Sequence, residues 1–189
     1  MTQFRDCMVD IETTGLNPGR NAIIQIAAVR FDIATREIDT SSFFDECLHI
    51  PPTRYWGLDT MHWWSNQKAE VLRTIQGRMR DPKTVLEEFT DWVGGYQNLR
   101  FWAKPTHFDF AFVQHYFVDF DMPMPFSFRE AVDMRSFAVG AAFPNEMENP
   151  QVTTGGYDAH NALHDCLMQI EWAFKVANIK ETGNAETHR

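Results

Sequence analysis

Three apolar runs near the start of the chain predict β-strands. They cover residues 4–11, 22–33 and 42–50, and turn-forming residues such as Gly15 and Asn17 lie between the first two. Because the links between the runs are short and polar, we expect the three strands to pair as an antiparallel meander.

The spacing of apolar residues changes to a helical period after Pro51 and Pro52. Asp81-Pro82 and Gly94-Gly95 are typical of the two ends of a helix. The pattern predicts helices at residues 61–67, 68–76, 82–93 and 108–120, a fourth strand at 99–103, and a short strand that leads into a helix at 131–137. A last helix should begin near Asp158 and bury a stripe formed by Ala162, Leu163, Cys166, Leu167, Ile170, Ala173, Phe174 and Ala177.

This order of elements predicts an α/β fold with a mixed sheet, in which three antiparallel strands are followed by parallel ones and helices flank both faces. A chain of 189 residues with 44% hydrophobic content is long enough for one ordinary core. We therefore expect a single domain over residues 1–180 and a flexible tail over residues 181–189.

Apolar runs and cysteines indicate the compartment. The longest apolar runs fall short of the roughly 20 residues that span a bilayer, and the N-terminus lacks the pattern of a secretory leader. Cys7, Cys47 and Cys166 are scattered among apolar residues, which predicts buried free thiols rather than disulfides or a zinc site. These features favour a cytoplasmic protein, either bacterial or phage-encoded in the host cytoplasm, with no membrane partner.

The formal net charge of −9 argues at first against a nucleic-acid partner, because phosphate binding normally depends on Lys and Arg. Two divalent cations held by carboxylates would bring this charge to −5 and concentrate the change at one place. An acidic protein can therefore bind a phosphodiester where its metal ions are bound.

Four carboxylates are candidates for such a site. Asp10 and Glu12 lie two apart near the end of an apolar strand, so both side chains share one face and repel each other. A divalent cation with oxygen ligands relieves that repulsion, and the alternative is a pair of solvated acids. Taken singly, Asp109 suits the N-terminus of a helix, and Asp165 suits an exposed position beside a buried stripe.

Three motifs together resemble those of the DEDDh (DnaQ-like) 3′–5′ exonuclease superfamily. They are VDIETTGL at residues 9–16, FDFAF at residues 108–112, and His160 followed five residues later by Asp165. The resemblance implies a ribonuclease-H-like fold and two Mg²⁺ or Mn²⁺ ions per site. In one respect the chain departs from it: Pro105 stands where many members have Asn, which weakens assignment to the proofreading branch.

The same resemblance implies roles for the site residues. Asp10 would be shared by both ions, Glu12 and Asp165 would complete one ion's site, and Asp109 would support the other directly or through water. His160 would accept a proton from the attacking water. His164 is the rival for this role, but neighbouring helix residues point about 100° apart, so His164 and Asp165 diverge. We therefore interpret His164 as a helix-surface residue.

The resemblance also implies a seat for the terminal nucleotide. Residues Thr13, Gly15 and Leu16 would hold it, with Leu16 beside the last base.

The adjacent residues Trp63 and Trp64 cannot both face one core, so one should be exposed or line a groove, where it could stack on a base. The W-W-x-x-Q segment resembles phage and bacterial exonucleases and makes Gln67 a candidate contact. Phe108, beside Asp109, is a further candidate contact to a base.

The only local basic cluster consists of Arg73, Arg78, Arg80 and Lys83, and it fits a solvated helix face better than a phosphate guide.

These observations predict a metal-dependent 3′–5′ exonuclease that acts on the 3′ ends of single-stranded DNA or RNA. Two alternatives stay open at this point. One is an exoribonuclease that trims RNA or short oligoribonucleotides, and the other is a non-catalytic nucleic-acid-binding adaptor of the same fold. The sequence also leaves open whether the protein acts as a homodimer or with a replication or repair partner.

Overall fold

A mixed β-sheet forms the centre of the computed structural model, which describes residues 4–94, 99–141 and 160–186, with side chains as far as residue 178. In these residues the sheet has seven strands: β1 (Asp6–Thr13), β2 (Ile23–Asp32), β3 (Glu37–Ile38), β4 (Phe44–Leu48), β5 (Met79–Arg80), β6 (Arg100–Ala103) and β7 (Ala131–Asp133).

The strand order is β5-β4-β2-β1-β6-β7, with β3 paired to the outer part of β2. β1, β2 and β4 are antiparallel neighbours, whereas β6 runs parallel to β1 and β7 runs parallel to β6. The predicted meander and mixed sheet are therefore confirmed. Strands β3 and β5 were not predicted, because two residues are too few to show a period.

Helices cover both faces of the sheet. They are α1 (Leu58–Ser65), α2 (Ala69–Gly77), α3 (Pro82–Gly94), α4 (Thr106–Asp119), α5 (Met134–Gly140) and α6 (Ala162–Glu186), with a 3₁₀ turn at Phe128–Glu130. Odd residues of β1 such as Val9 pack in a core with α3 and α4, whereas Met8 packs in a second core with α5 and α6. None of the helices among the described residues is both long enough and apolar enough to cross a membrane.

Helix α6 begins later than the sequence predicted. The expected start near Asp158 falls outside the described residues, and the first helical residue is Ala162. His160 has a left-handed backbone (φ 65°), which a helix cannot include, and the Asn161 side chain accepts a hydrogen bond from the His164 N–H (3.2 Å). At its other end the helix continues to Glu186, into the segment expected to be a tail.

The buried stripe of α6 is rotated relative to the predicted one, and the predicted Ala177 is only half-buried. Ala162, Cys166, Ile170 and Ala173 are fully buried, as predicted, and Trp172 and Val176 join them. Leu163, Leu167 and Phe174 are only partly buried against the same core. Cys166, like Cys7 and Cys47, is buried, which confirms the predicted burial of the thiols.

Candidate active site at the carboxyl end of the central strands

Two carboxylates lie near the carboxyl end of β1, the strand at the middle of the sheet. Asp10 and Glu12 share the face on which Met8 packs against α6, because residues two apart on a strand point the same way. Glu12 is 8% exposed and lies opposite Gln25 of β2. Asp10 is half-buried. Two like charges with so little access to water are costly without a counter-charge.

Asp109 reaches the same strand end from α4. This helix follows β6, which runs parallel to β1, so it starts at the edge of the sheet where β1 ends. Asp109 is buried, and the main-chain N–H of Ile11 is close enough to its carboxylate to oppose the rise of its pKa. It does not cap the helix, since the N-cap position belongs to Pro105. The carboxylate of Asp109 therefore lies close to Ile11, the residue between Asp10 and Glu12.

Asp165 and His160 lie at the start of α6, which packs on the face of the sheet opposite to α4. The main-chain N–H of His160 donates a hydrogen bond to Oδ2 of Asp165 (3.2 Å). One ligand atom from each of Glu12, His160 and Asp165 lies within 4.8 Å of the other two. His164 is not in this group, and neither are Asp10 and Asp109. Asp165 is partly buried rather than exposed.

Burial and mutual repulsion dominate the electrostatics of the four carboxylates. Burial raises the pKa of Asp10 well above its ordinary value, and Asp109, Asp165 and Glu12 raise it further. Burial likewise raises the pKa of Glu12 well above its ordinary range, that of Asp109 to about 8 and that of Asp165 to about 6. Carboxylates packed this closely have oxygen ligands of the kind that hard divalent cations prefer.

Gln169 is a site residue that the sequence interpretation missed. It lies one helical turn after Asp165, and its Nε2 donates a hydrogen bond to Oδ1 of Asp10 (2.7 Å). Its Oε1 is buried and, among the described residues, has no hydrogen-bond partner. An unpaired acceptor beside the carboxylates fits a site that a cation and its water ligands complete. The spacing of four from Asp165 was the available signal.

A cleft of about 360 Å³ opens beside Glu12, and we call it the terminal cleft. Its lining contains five of the predicted substrate contacts, together with Ile11, Glu12, Asp59 and Thr60. The five are Thr13, Leu16, Trp63, Trp64 and Phe108. Asp59 and Thr60 were missed because α1 begins at Leu58, three residues before its predicted start.

The two adjacent tryptophans have different environments, as predicted. Trp64 is 3% exposed, and its Nε1 donates a hydrogen bond to the carbonyl of Thr13 (3.1 Å). Trp63 is 39% exposed, and its ring meets that of His160 edge-on at 4.6 Å between centroids. Trp63 therefore connects the terminal cleft to the carboxylate cluster.

Two predicted contacts are not part of the cleft lining. Gln67 donates through Nε2 to the carbonyl of Trp63 (3.2 Å) and lines a separate cavity between α1 and α2. Gly15 lies in the loop after β1, where an added Cβ would come within 2.3 Å of the Asn21 side chain. The glycine therefore permits a close approach of the loop to Asn21.

The basic cluster is only partly the solvated helix face that we expected. Arg78 and Arg80 lie at the edge of the sheet, where Arg78 contacts Asp45 (2.9 Å) and Arg80 contacts Glu46 (3.0 Å) and Glu88 (2.6 Å). Only Arg73 and Lys83 are exposed on helices. The carboxylates beside Arg78 and Arg80 leave this cluster with little net positive charge.

Comparison with known proteins identifies the family. Residues 5–177 match the model of the Rv2179c-like 3′–5′ exoribonuclease domain. An exodeoxyribonuclease of Enterobacteria phage T4 is 23% identical, across 96% of this chain and 94% of the relative.

Solved structures show the same fold. A zinc-bound complex of E. coli ExoI with single-stranded DNA superposes with a TM-score of 0.70 at 15% identity, over 94% of this chain and 41% of that one. The cell-death related nuclease CRN-4 gives 0.67 at 18% identity, over 94% and 66%. This chain thus spans less than two thirds of either nuclease. Exonucleases of this fold are metal-dependent, in keeping with the acidic cluster. The chain belongs to the family of Rv2179c-like 3′–5′ exoribonuclease domains, and it is a 3′–5′ exonuclease domain that acts on nucleic acid.

Proposed function

We propose that this chain shortens single-stranded DNA or RNA from the 3′ end and releases nucleoside 5′-monophosphates. Asp10, Glu12, Asp109 and Asp165 would bind two Mg²⁺ or Mn²⁺ ions, and His160 would act as the general base. The observation that carries the proposal is the convergence of ligand atoms from Glu12, His160 and Asp165 within 4.8 Å, beside a cleft.

The two ions would neutralise charge on the phosphoryl group and lower the pKa of the attacking water. The chain supplies the base. Burial lowers the pKa of His160, so its ring is neutral at neutral pH and can accept a proton. The edge-on contact with Trp63 and the hydrogen bond from the His160 N–H to Asp165 hold the imidazole beside the carboxylates.

The terminal cleft would hold the last nucleotide of the strand. Its volume of about 360 Å³ suits one small ligand. Leu16 is 77% exposed and can lie against the last base, and Phe108 and Trp63 offer aromatic surface nearby. Aromatic and apolar contacts do not discriminate among bases, so we expect little sequence preference.

Both classes of nucleic acid are candidates. The matching family model describes an exoribonuclease, the phage T4 relative is named an exodeoxyribonuclease, and E. coli ExoI has been solved with single-stranded DNA. The family description favours RNA trimming as the second candidate function. Discrimination would depend on contacts to the 2′-hydroxyl. We place the activity in the cytoplasm of a bacterium or of a phage-infected host, in line with the phage relative.

The test is degradation of matched 5′-labelled DNA and RNA strands with Mg²⁺ or Mn²⁺. Wild type should give a ladder that shortens from the 3′ end, and Asp10→Ala should give none. Asp91→Ala, which removes an exposed carboxylate from α3, is the matched control and should behave as wild type. Equal ladders from wild type and Asp10→Ala would reject the proposed carboxylate site, and no ladder from either would reject the exonuclease proposal and favour a non-catalytic adaptor.

A further inference from the structure

A second cavity, of about 600 Å³, lies beside the first turn of α4, and we call it the α4 groove. His107 and Gln114 line it from α4, Arg135 lines it from α5, and Phe128 lines it from the 3₁₀ turn before β7. Residues at the start of α4 separate the α4 groove from the terminal cleft, since Phe108 lines the cleft and His107 lines the groove. The two cavities therefore flank the same turn, which leads to Asp109.

Phe128 gives the α4 groove an aromatic surface. Its side chain is 67% exposed, which is unusual for a large apolar residue in a folded domain. The guanidinium of Arg129 lies 5.1 Å from its ring centroid. An exposed ring with a cation beside it is suited to stack on a nucleobase and to attract a nearby phosphate.

The groove lining carries one exposed cation, Arg135, and one carboxylate, Asp133. Its one acidic residue, Asp133, accepts hydrogen bonds from the Thr106 N–H (3.0 Å), the Ser136 N–H (2.8 Å) and the Ser136 hydroxyl (2.9 Å). Burial opposes ionisation of Asp133, but these hydrogen bonds and His107 hold its pKa below the ordinary value. The carboxylate is therefore engaged within the protein, whereas Arg135 lines the groove.

Lys104 is half-buried and precedes Pro105, the first residue of the groove lining. Its Nζ lies 5.0 Å from the ring centroid of Trp172 on α6. Burial and Arg135 lower the pKa of Lys104, whereas Asp165 and Asp10 raise it. Lys104 therefore lies between α6 and the start of α4, within the electrostatic range of both the carboxylate cluster and Arg135.

We propose that the α4 groove binds the nucleotides upstream of the scissile phosphate, with Phe128 stacking on a base and Arg135 contacting the backbone. The proposal rests on the exonuclease function above. Phe108 lines the terminal cleft, and His107 and Phe110 line the α4 groove, so Asp109 lies between residues that line the two cavities. The ligand class is single-stranded nucleic acid longer than a dinucleotide.

The experiment compares strands of increasing length. Binding of 5′-fluorescein-labelled thymidine oligonucleotides of two to eight residues is measured by fluorescence anisotropy in EDTA, and cleavage of the same oligonucleotides is measured with Mn²⁺. Wild type, Phe128→Ala and Arg135→Gln are tested. The matched controls are Val118→Ala, an exposed apolar residue at the far end of α4, and Arg5→Gln, an exposed arginine just before β1.

In wild type and both controls, affinity and kcat/KM should rise with length beyond two nucleotides. Because stacking on one aromatic face is worth about 1–3 kcal/mol, Phe128→Ala should weaken the hexamer roughly tenfold more than the dinucleotide. Arg135→Gln should flatten the same length dependence. Length dependence that persists unchanged in both variants would overturn the groove proposal while leaving exonuclease activity intact. Wild type that cleaves no length of these oligonucleotides or of the matched uridine oligonucleotides would reject both proposals.

Discussion

The side chain of Gln169 donates a hydrogen bond of 2.7 Å to Oδ1 of Asp10, across the contact between α6 and β1. Asp165 lies one turn earlier on the same helix, so α6 both supplies one carboxylate of the cluster and orients another. The hydrogen bond also limits which Asp10 oxygen faces a cation. We therefore expect Gln169 to position Asp10 in the proposed metal site.

Gln169→Ala should weaken Mn²⁺ binding by about 10–100-fold, the usual cost of removing a group that orients a metal ligand. Isothermal titration calorimetry measures this directly, without relying on turnover. Gln76→Ala, an exposed glutamine on α2, is the control and should bind Mn²⁺ as wild type does. If Gln169→Ala and Gln76→Ala have the same affinity, Gln169 does not position Asp10.

Replacing His160 should separate proton transfer from metal binding. His160→Ala should lower kcat by about 10²–10⁴-fold, the usual contribution of a general base, while Mn²⁺ still binds the carboxylates. His164→Ala removes the neighbouring histidine of α6 that lies outside the ligand group and should keep near wild-type turnover. Full activity in His160→Ala would remove this residue from the mechanism.

Because burial lowers the pKa of His160, the wild-type rate should fall on the acid side below about pH 6.5, the ordinary histidine value, and hold above it. A kcat profile measured at saturating Mn²⁺ checks the position of this limb. A limb centred above pH 7 would contradict the burial of the imidazole.

Stability of the metal-free protein should fall as pH rises. The pKa of Asp109 is raised from 3.8 to about 8, so between these values the folded state holds a proton that the unfolded state has lost. The stabilisation is complete below pH 4 and is lost as the pH passes 8. In EDTA, Tm should therefore decline between pH 5 and 9.

The Asp109→Asn variant isolates this effect. Its neutral amide does not titrate, so its Tm in EDTA should decline less steeply and exceed that of wild type at pH 8. Saturating Mg²⁺ should flatten the wild-type curve, because cations bind the ionised carboxylates. Asp91→Asn is the exposed control. Parallel Tm curves for wild type and Asp109→Asn would show that Asp109 is ionised in the metal-free fold.

The adjacent tryptophans should respond differently to truncation. Trp64→Ala removes a buried ring and its hydrogen bond to Thr13, which should cost about 3–5 kcal/mol of the free energy of unfolding. Trp63→Ala should change Tm little but raise KM about tenfold, because Trp63 lines the terminal cleft. Denaturation and initial-rate measurements on both variants decide the matter, and equal effects on Tm would contradict the assignment.

The spacing of apolar residues along the sequence was enough to predict the longer helices and strands. β1 and β2 are apolar runs, and α3, α4 and α6 carry helical stripes, so local spacing was sufficient to predict them. It also determined that Asp10 and Glu12 share a face, since that follows from the pleat of any strand.

Which distant residues meet depends on how separate elements pack in the tertiary structure. Three such cases are the contact of Gln169 with Asp10, the pairing of Arg80 with Glu46 and Glu88, and the burial of Trp64 rather than Trp63. His160 has a left-handed backbone, and α6 therefore begins only after it. The residue types around His160 did not predict this backbone conformation. Spacing along the chain specifies which residues share a face of one helix or strand. A contact between two elements also depends on their relative position and angle, which are set by the core that they share.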